Sequence, residues 1–193
     1  PRPQVMLVIG VNGSGKTTFL ALLTGKLAPS TGTVRVMARH ALLDQRVSLL
    51  DASQTVLENF RRINPQADDN ACRRALARYM FRAEAALQTV SLLSGGQMLR
   101  AGLACTLGAP QPPQLLILDE PGEGIQPNIV AQIGEVIRRL IKEDGLTVLL
   151  VEQKLPFARK YADRFAIMDR GRRVAEGEIA ELSDELIKKH LTV

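Results

Sequence analysis

The chain has 193 residues, 46% of them hydrophobic, which is enough for one compact domain with a substantial core. Its net charge of +5 raises the question of a nucleic-acid partner. The basic residues are scattered in pairs such as Arg61-Arg62, Arg73-Arg74, Arg138-Arg139 and Lys188-Lys189, with no interleaved aromatics, and read as solvated helix faces. No apolar run reaches the roughly 18 residues that span a bilayer, so a membrane role must come through a partner. The chain opens on Pro1 without a secretory pattern and reads as a fragment or a trimmed chain. Cys72 and Cys105 lack metal-ligand and redox spacing and fit a reducing cytosol.

In chain order, Val5 to Ile9 is an apolar run that predicts a buried parallel strand ending at Gly10. Lys16 to Thr24 predicts a helix that stops near Gly25. Thr33 to Val36 and Ala41 to Leu43 are weaker strand candidates. From Thr55 to about Leu87, helix formers with apolar positions at Ala71, Ala75, Leu76 and Tyr79 predict a helical insertion. Met98 to Leu107 predicts a helix, and Pro110, Pro112 and Pro113 break the chain before a strand at Leu115 to Leu118. A helix near Ile129 to Lys142, a strand at Thr147 to Val151, a helix around Phe157 to Ala162 and a strand at Phe165 to Met168 follow. Arg170-Gly171 predicts a turn, and Asp184 to Leu191 a terminal helix. Strands alternating with helices predict an α/β fold, a mainly parallel sheet with helices on both faces.

Gly10-Val11-Asn12-Gly13-Ser14-Gly15-Lys16-Thr17, followed by Thr18, matches GxxxxGK[ST] between an apolar strand and a helix. Glycines there let backbone N–H groups approach phosphate oxygens at the positive end of the helix. Lys16 is placed to reach the β and γ phosphates, and the Thr17 hydroxyl to ligate Mg²⁺. Leu115 to Leu118 ends in Asp119 and Glu120, a holder of Mg²⁺ and a carboxylate to orient and polarise the attacking water. Between these two motifs lies Leu93-Ser94-Gly95-Gly96-Gln97, a hydroxyl and exposed backbone N–H groups at the start of a helix.

That order of motifs resembles the ATP-binding cassette (ABC) ATPases along nearly the whole chain. The resemblance implies a P-loop NTPase fold with a helical subdomain at about residues 50–108, in a single domain over 1–193 that lacks the family's N-terminal β strands and adenine-stacking aromatic. It implies ATP and Mg²⁺ as cofactors. Ser94, Gly95, Gly96 and Gln97 would cap the γ phosphate of a second ABC ATPase subunit in a head-to-tail dimer. Gln45 sits where the family places a glutamine that touches Mg²⁺ and water, and Gln153 where it usually places a histidine. Gln126 stands in place of an aspartate.

The two ends resemble different relatives. Asp119 to Val193, through Asp119-Glu120-Pro121-Gly122-Glu123-Gly124-Ile125-Gln126-Pro127, Leu149-Leu150-Val151-Glu152-Gln153 and Ala162-Asp163-Arg164, resembles the ATPase subunits of urea and branched-chain amino-acid importers. Leu42-Leu43-Asp44-Gln45, Glu58-Asn59-Phe60-Arg61-Arg62 and Leu99-Arg100-Ala101-Gly102-Leu103-Ala104 are similar to soluble ABC-F proteins, which act at the ribosome. The pattern reads as a composite of two cassette types. Three functions stay open. The first is an importer ATPase with membrane permease subunits, peripheral on the cytoplasmic face of the inner membrane. The others are a ribosome-associated ATPase and a nucleotide-binding module with little turnover.

Overall fold

The computed structural model of the chain describes residues 4–124, 126–153 and 155–191. Six strands form one sheet: β1 (Val5–Ile9), β2 (His40–Leu43), β3 (Leu115–Asp119), β4 (Thr147–Val151), β5 (Arg164–Asp169) and β6 (Arg172–Glu178). Their order is β2-β3-β4-β1-β5-β6, parallel except for the antiparallel β6. The expected α/β class with a mainly parallel sheet is what the chain adopts. The register runs Leu7 beside Leu150 and Ile117 beside Leu149. This brings the C-terminal ends of β3, β4 and β1 side by side, where open α/β sheets bind ligands.

Side-chain alternation divides the core between the two faces. Val5, Leu7, Ile9, Leu116, Leu118, Val148, Leu150, Phe165 and Ile167 belong to the larger cluster. Val8, Ile117, Leu149, Val151 and Met168 face the other way, with Leu20 of α1 (Lys16–Leu23). Because both faces are buried, these strands read as continuous apolar runs.

Between β2 and β3 the chain is helical: α2 (Val56–Ile63), α3 (Asp69–Arg78), 3₁₀ turns at Ala83–Leu87 and Val90–Leu92, and α4 (Gly95–Leu107). Thr55 and Glu58 form a reciprocal capping box that starts α2. Phe60 on α2 is fully buried, and the buried Asn64 amide at its end donates to Cys105 O at 2.8 Å, tying α2 to α4. The rest of the described helical structure comprises α5 (Pro127–Asp144), α6 (Leu155–Tyr161), a 3₁₀ turn at Ile179–Glu181 and α7 (Asp184–Leu191).

Several elements differ from expectation. Thr33 to Val36 forms no strand: it has the alternation of one, but no described strand pairs with it, and Val34 stays exposed. A ladder partner, not propensity, makes a strand. Helix α4 starts at Gly95 rather than Met98 because Ser94 and Gln97 cap it. Pro127 at its first turn and Gly145 in the left-handed region bound α5 more widely than its apolar spacing predicts. The turn at Arg170-Gly171 is present, with φ of 45° and 74°, and opens the unexpected strand β6.

Candidate functional site

Three strand ends supply the site. After β1, the phosphate loop folds back so tightly that a Cβ on Gly10 would lie 2.6 Å from Met168 O. Gly13 and Gly15 sit at φ of 80° and 95°, where a side chain is strained. The β5–β6 turn braces the loop from behind: Gly171 N–H donates to Ser14 O at 2.8 Å. Among the described residues no side chain caps the first N–H groups of α1, and such uncapped donors suit an anion.

Lys16 is only 7% exposed and donates to the carbonyls of Gly10 and Val11, the second at 3.1 Å. Its Nζ lies 3.9 Å from Glu120 Oε1. Burial pushes the Lys16 ammonium below its ordinary pKa against the pull of Glu120, Asp119 and Glu152. The buried Ser14 hydroxyl finds no hydrogen-bond partner among the described residues. A buried orphan oxygen calls for a ligand. The loop and Glu120 enclose a cavity of about 250 Å³ lined by Asn12, Gly13, Ser14, Gly15, Lys16, Thr17 and Thr18.

Asp119 ends β3 beside Val151, and Glu120 follows in the left-handed region at φ 48°, its N–H donating to Val151 O at 2.8 Å. A non-glycine residue held there is strained by about 1–2 kcal/mol. The bend turns Glu120 toward the cavity. The Gln153 amide, carried beyond β4, donates to Glu120 Oε1 and to Asn12 Oδ1, the latter at 3.0 Å. Burial, then Glu120 and Asp44, raises the Asp119 carboxyl above its ordinary pKa. Crowded carboxylates facing a phosphate loop suit a divalent cation. Among the described residues no group of three or more His, Cys, Asp or Glu could hold a metal unaided. Thr17 of the loop and Asp119 at the end of β3 are oxygen donors of the kind Mg²⁺ takes, and a cation here would complete its shell with phosphate oxygens and water.

The residues Ser94 to Gln97 lie elsewhere. Gln97 N–H donates to Ser94 Oγ at 3.3 Å and Ser94 N–H to Gln97 Oε1 at 2.9 Å. Ser94 and Gly95 are exposed, while Gly96 packs on Ile129 of α5. Gln45, also exposed, lines a second cavity of about 90 Å³ with Gly95, Glu123 and Gly124 and does not line the phosphate cavity. Gln126 caps α5 without a side-chain bond, and Ile125 beside it lies outside the described residues.

Glu152 was not singled out by its chemistry, although an acid closing an apolar strand is a signal. It is 1% exposed, and its carboxylate accepts from Gly122 N–H at 3.3 Å and Gln153 N–H at 2.8 Å.

The protein-family model described as ABC transporter matches residues 1–123. The daunorubicin resistance ATP-binding protein DrrA3 of Streptomyces coeruleorubidus is 34% identical over 95% of the chain, and the chain spans 62% of that relative. The phosphonates import ATP-binding protein PhnC 2 of Rhodopseudomonas palustris is 31% identical over 96% of the chain, which spans 74% of it. Among solved structures, cbiO1 from Clostridium perfringens, part of the ABC transporter complex cbiONQ, superposes with a TM-score of 0.81. It is 26% identical and is matched over 97% of this chain and 83% of its own.

Proposed function

The chain belongs to the ABC transporter family as an ATP-binding domain, and from that premise we propose that it hydrolyses ATP to drive transport through membrane permease subunits. The convergence of Lys16, Glu120, Gln153 and Asn12 at three adjacent strand ends carries this reading. Lys16 exchanges its two loop carbonyls for the β and γ phosphates. The Ser14 hydroxyl and the N–H groups at the start of α1 take phosphate oxygens. Glu120 accepts the hydrogen bond of the water that attacks in line with the leaving oxygen, and Gln153 fixes the orientation of that carboxylate. Mg²⁺ held by Thr17 and Asp119, with Gln45 brought in when the site closes, would neutralise phosphate charge. Electrostatic positioning of this kind supplies most of the rate enhancement in phosphoryl transfer.

Ser94, Gly95, Gly96 and Gln97 cap the nucleotide of a second ATPase subunit, and residues 50–108, a helical insertion, pass closure to the permease. Among the described residues no helix is long and apolar enough to cross a membrane. As an ATPase subunit that works with a permease, the chain would sit on the cytoplasmic face of the inner membrane. For the transported solute, residues 119–193 favour a urea or branched-chain amino-acid importer, by their likeness to those subunits. The relatives named above are import and resistance proteins, and we therefore put transport ahead of the ribosome-associated reading.

The test is phosphate release and MgATP binding by wild type, Lys16→Ala and Glu120→Gln, with co-purification from membranes. Lys16→Ala should bind MgATP at least tenfold more weakly. Glu120→Gln should bind it normally but release phosphate about 100-fold more slowly, the scale of a lost general base. Equal release by wild type and Glu120→Gln would refute the catalytic assignment. Ribosomes in place of a permease in the purified complex would refute transport.

A further inference from the structure

We propose that Glu152 is a positioning residue for ATP hydrolysis, whose buried carboxylate holds the loop after Glu120 and the Gln153 side chain in one fixed arrangement. The proposal rests on the ATPase reading above. Glu152 N–H donates to Val8 O at 3.1 Å, so its backbone still belongs to the β4–β1 ladder. Its side chain bends back to accept Gly122 N–H through Oε2 and its own neighbour's N–H, that of Gln153, through Oε1. One residue thus joins the strand before the phosphate loop, the loop after Glu120 and the residue that bonds both Glu120 and Asn12.

The packing is close. A Cβ on Gly122 would lie 3.1 Å from Glu152 Oε2, tighter than an ordinary contact, so a side chain there would displace the carboxylate by a few tenths of an ångström. A carboxylate at 1% exposure is costly to bury without partners, and two charge-assisted bonds to backbone N–H offset that cost. Lys16, the cation of the phosphate loop, also lies within the field of Glu152.

Chemistry makes the requirement specific. A carboxylate offers an acceptor to both N–H groups at once. Glutamine at the same length offers one oxygen and sets an NH₂ donor against the other N–H. Glu152→Gln therefore loses one of the two bonds and frees either the Gly122 loop or Gln153. Glu120 and Gln153 then lose their common alignment, and because Glu152 does not itself line the phosphate cavity the larger effect falls on kcat rather than on KM.

The experiment compares wild type, Glu152→Gln, Glu152→Asp, Gln153→Ala and the Glu152→Gln/Gln153→Ala double variant of the chain. It measures kcat and KM for MgATP, and amide exchange at residues 120–124 and 153. Glu152→Gln should lower kcat about tenfold to 100-fold, the scale of a misplaced catalytic group, with KM within about twofold. Glu152→Asp, which keeps both acceptor oxygens, should recover part of the loss. The double variant should be no slower than the slower single variant, because the two residues act in series. Equal rates for wild type and Glu152→Gln, or losses that multiply in the double variant, overturn the proposal. If wild type releases no more phosphate than Lys16→Ala, the ATPase reading fails, and exchange then decides the role of Glu152. Faster exchange confined to residues 120–124 and 153 in Glu152→Gln upholds its hold on the loop, and unchanged exchange overturns it.

Discussion

Gly96 lies in the first turn of α4, buried, and a Cβ built there falls far inside contact with Ile129 Cγ2 and 3.4 Å from Ile129 Cβ. Gly96→Ala is therefore a packing perturbation at the α4–α5 contact before it is a change to any ligand. Ile is stiff at χ1, so its methyl group cannot swing aside without leaving its rotamer. Forcing one extra methyl into such a contact costs about 1–3 kcal/mol. The intrinsic gain of alanine over glycine in a helix, at most about 1 kcal/mol and less in a first turn, offsets part of it. The net expectation is a loss of about 1–2 kcal/mol, taking these two terms together. For a chain of 193 residues, that lowers Tm by roughly 2–8 °C at about 2–4 °C per kcal/mol. The assay is a thermal melt of Gly96→Ala, Ile129→Ala and the double variant without nucleotide. Ile129→Ala alone should cost about 1–2 kcal/mol, since half-burial scales down a full core truncation. It should also remove the clash, leaving the double variant more stable than the sum of the single effects by at least about 0.5 kcal/mol. Additive effects, or a raised Tm for Gly96→Ala, would refute the packing role.

Asp119→Asn should raise the melting temperature of the nucleotide-free chain at pH 7.5, because burial and the charges of Glu120 and Asp44 disfavour the ionised carboxyl in the folded state. The sign follows from linkage: a raised folded-state pKa is a penalty above that pKa, relieved as pH falls through it toward the ordinary 3.8. The advantage of Asp119→Asn should shrink over that descent, and the variant should lose most of the stabilisation that MgATP gives wild type. Tyr79→Phe should leave stability unchanged or raise it by up to about 2 kcal/mol, since the buried Tyr79 hydroxyl has no partner among the described residues. Melts at pH 7.5, below the hydroxyl pKa that burial pushes up to about 12, read this directly, and a loss above about 1 kcal/mol would reveal a bond to that hydroxyl.

The sheet was legible wherever burial on both faces left an unbroken apolar run, as in Val5–Ile9, Leu115–Asp119 and Thr147–Val151. Strand β6 was not, because Arg172–Glu178 has no buried residue to mark a face and pairs through the turn at Arg170-Gly171. Thr33 to Val36 failed in the opposite direction, with the right alternation and no neighbour. Ser94 and Gln97 show how a motif can be read for its chemistry and missed for its geometry: serine followed three residues on by glutamine is also a capping box, and it fixes where α4 begins. Local sequence could place Asp119 and Glu120 beside the phosphate loop only through the motif order. The left-handed turn at Glu120, the two hydrogen bonds that Gln153 donates to Glu120 and Asn12, and the clasp of Glu152 on Gly122 all depend on which strands neighbour β3, and that is a property of the assembled sheet.

That same geometry bears on how many chains one ATP requires. Lys16 and Glu120 line one cavity, while Gly95 lines another with Gln45 and Glu123. The capping box uses the Ser94 hydroxyl and the Gln97 carbonyl as acceptors and leaves the Ser94 hydroxyl proton and the N–H of Gly95, both on exposed residues, available as donors. Such donors favour an anion, and the phosphate loop of their own chain already directs its free N–H groups into the first cavity. In the head-to-tail dimer proposed above, a second chain would present its α4 start to the first chain's loop, and by symmetry each site would gain donors from the other subunit. On this argument Ser94→Ala should lower hydrolysis in a mixed dimer at one site, the one whose phosphate loop faces the altered subunit. A dimer of Ser94→Ala with Lys16→Ala subunits then retains either one intact site or none, and phosphate release by that mixture, set against each parent, tells which chain completes which site.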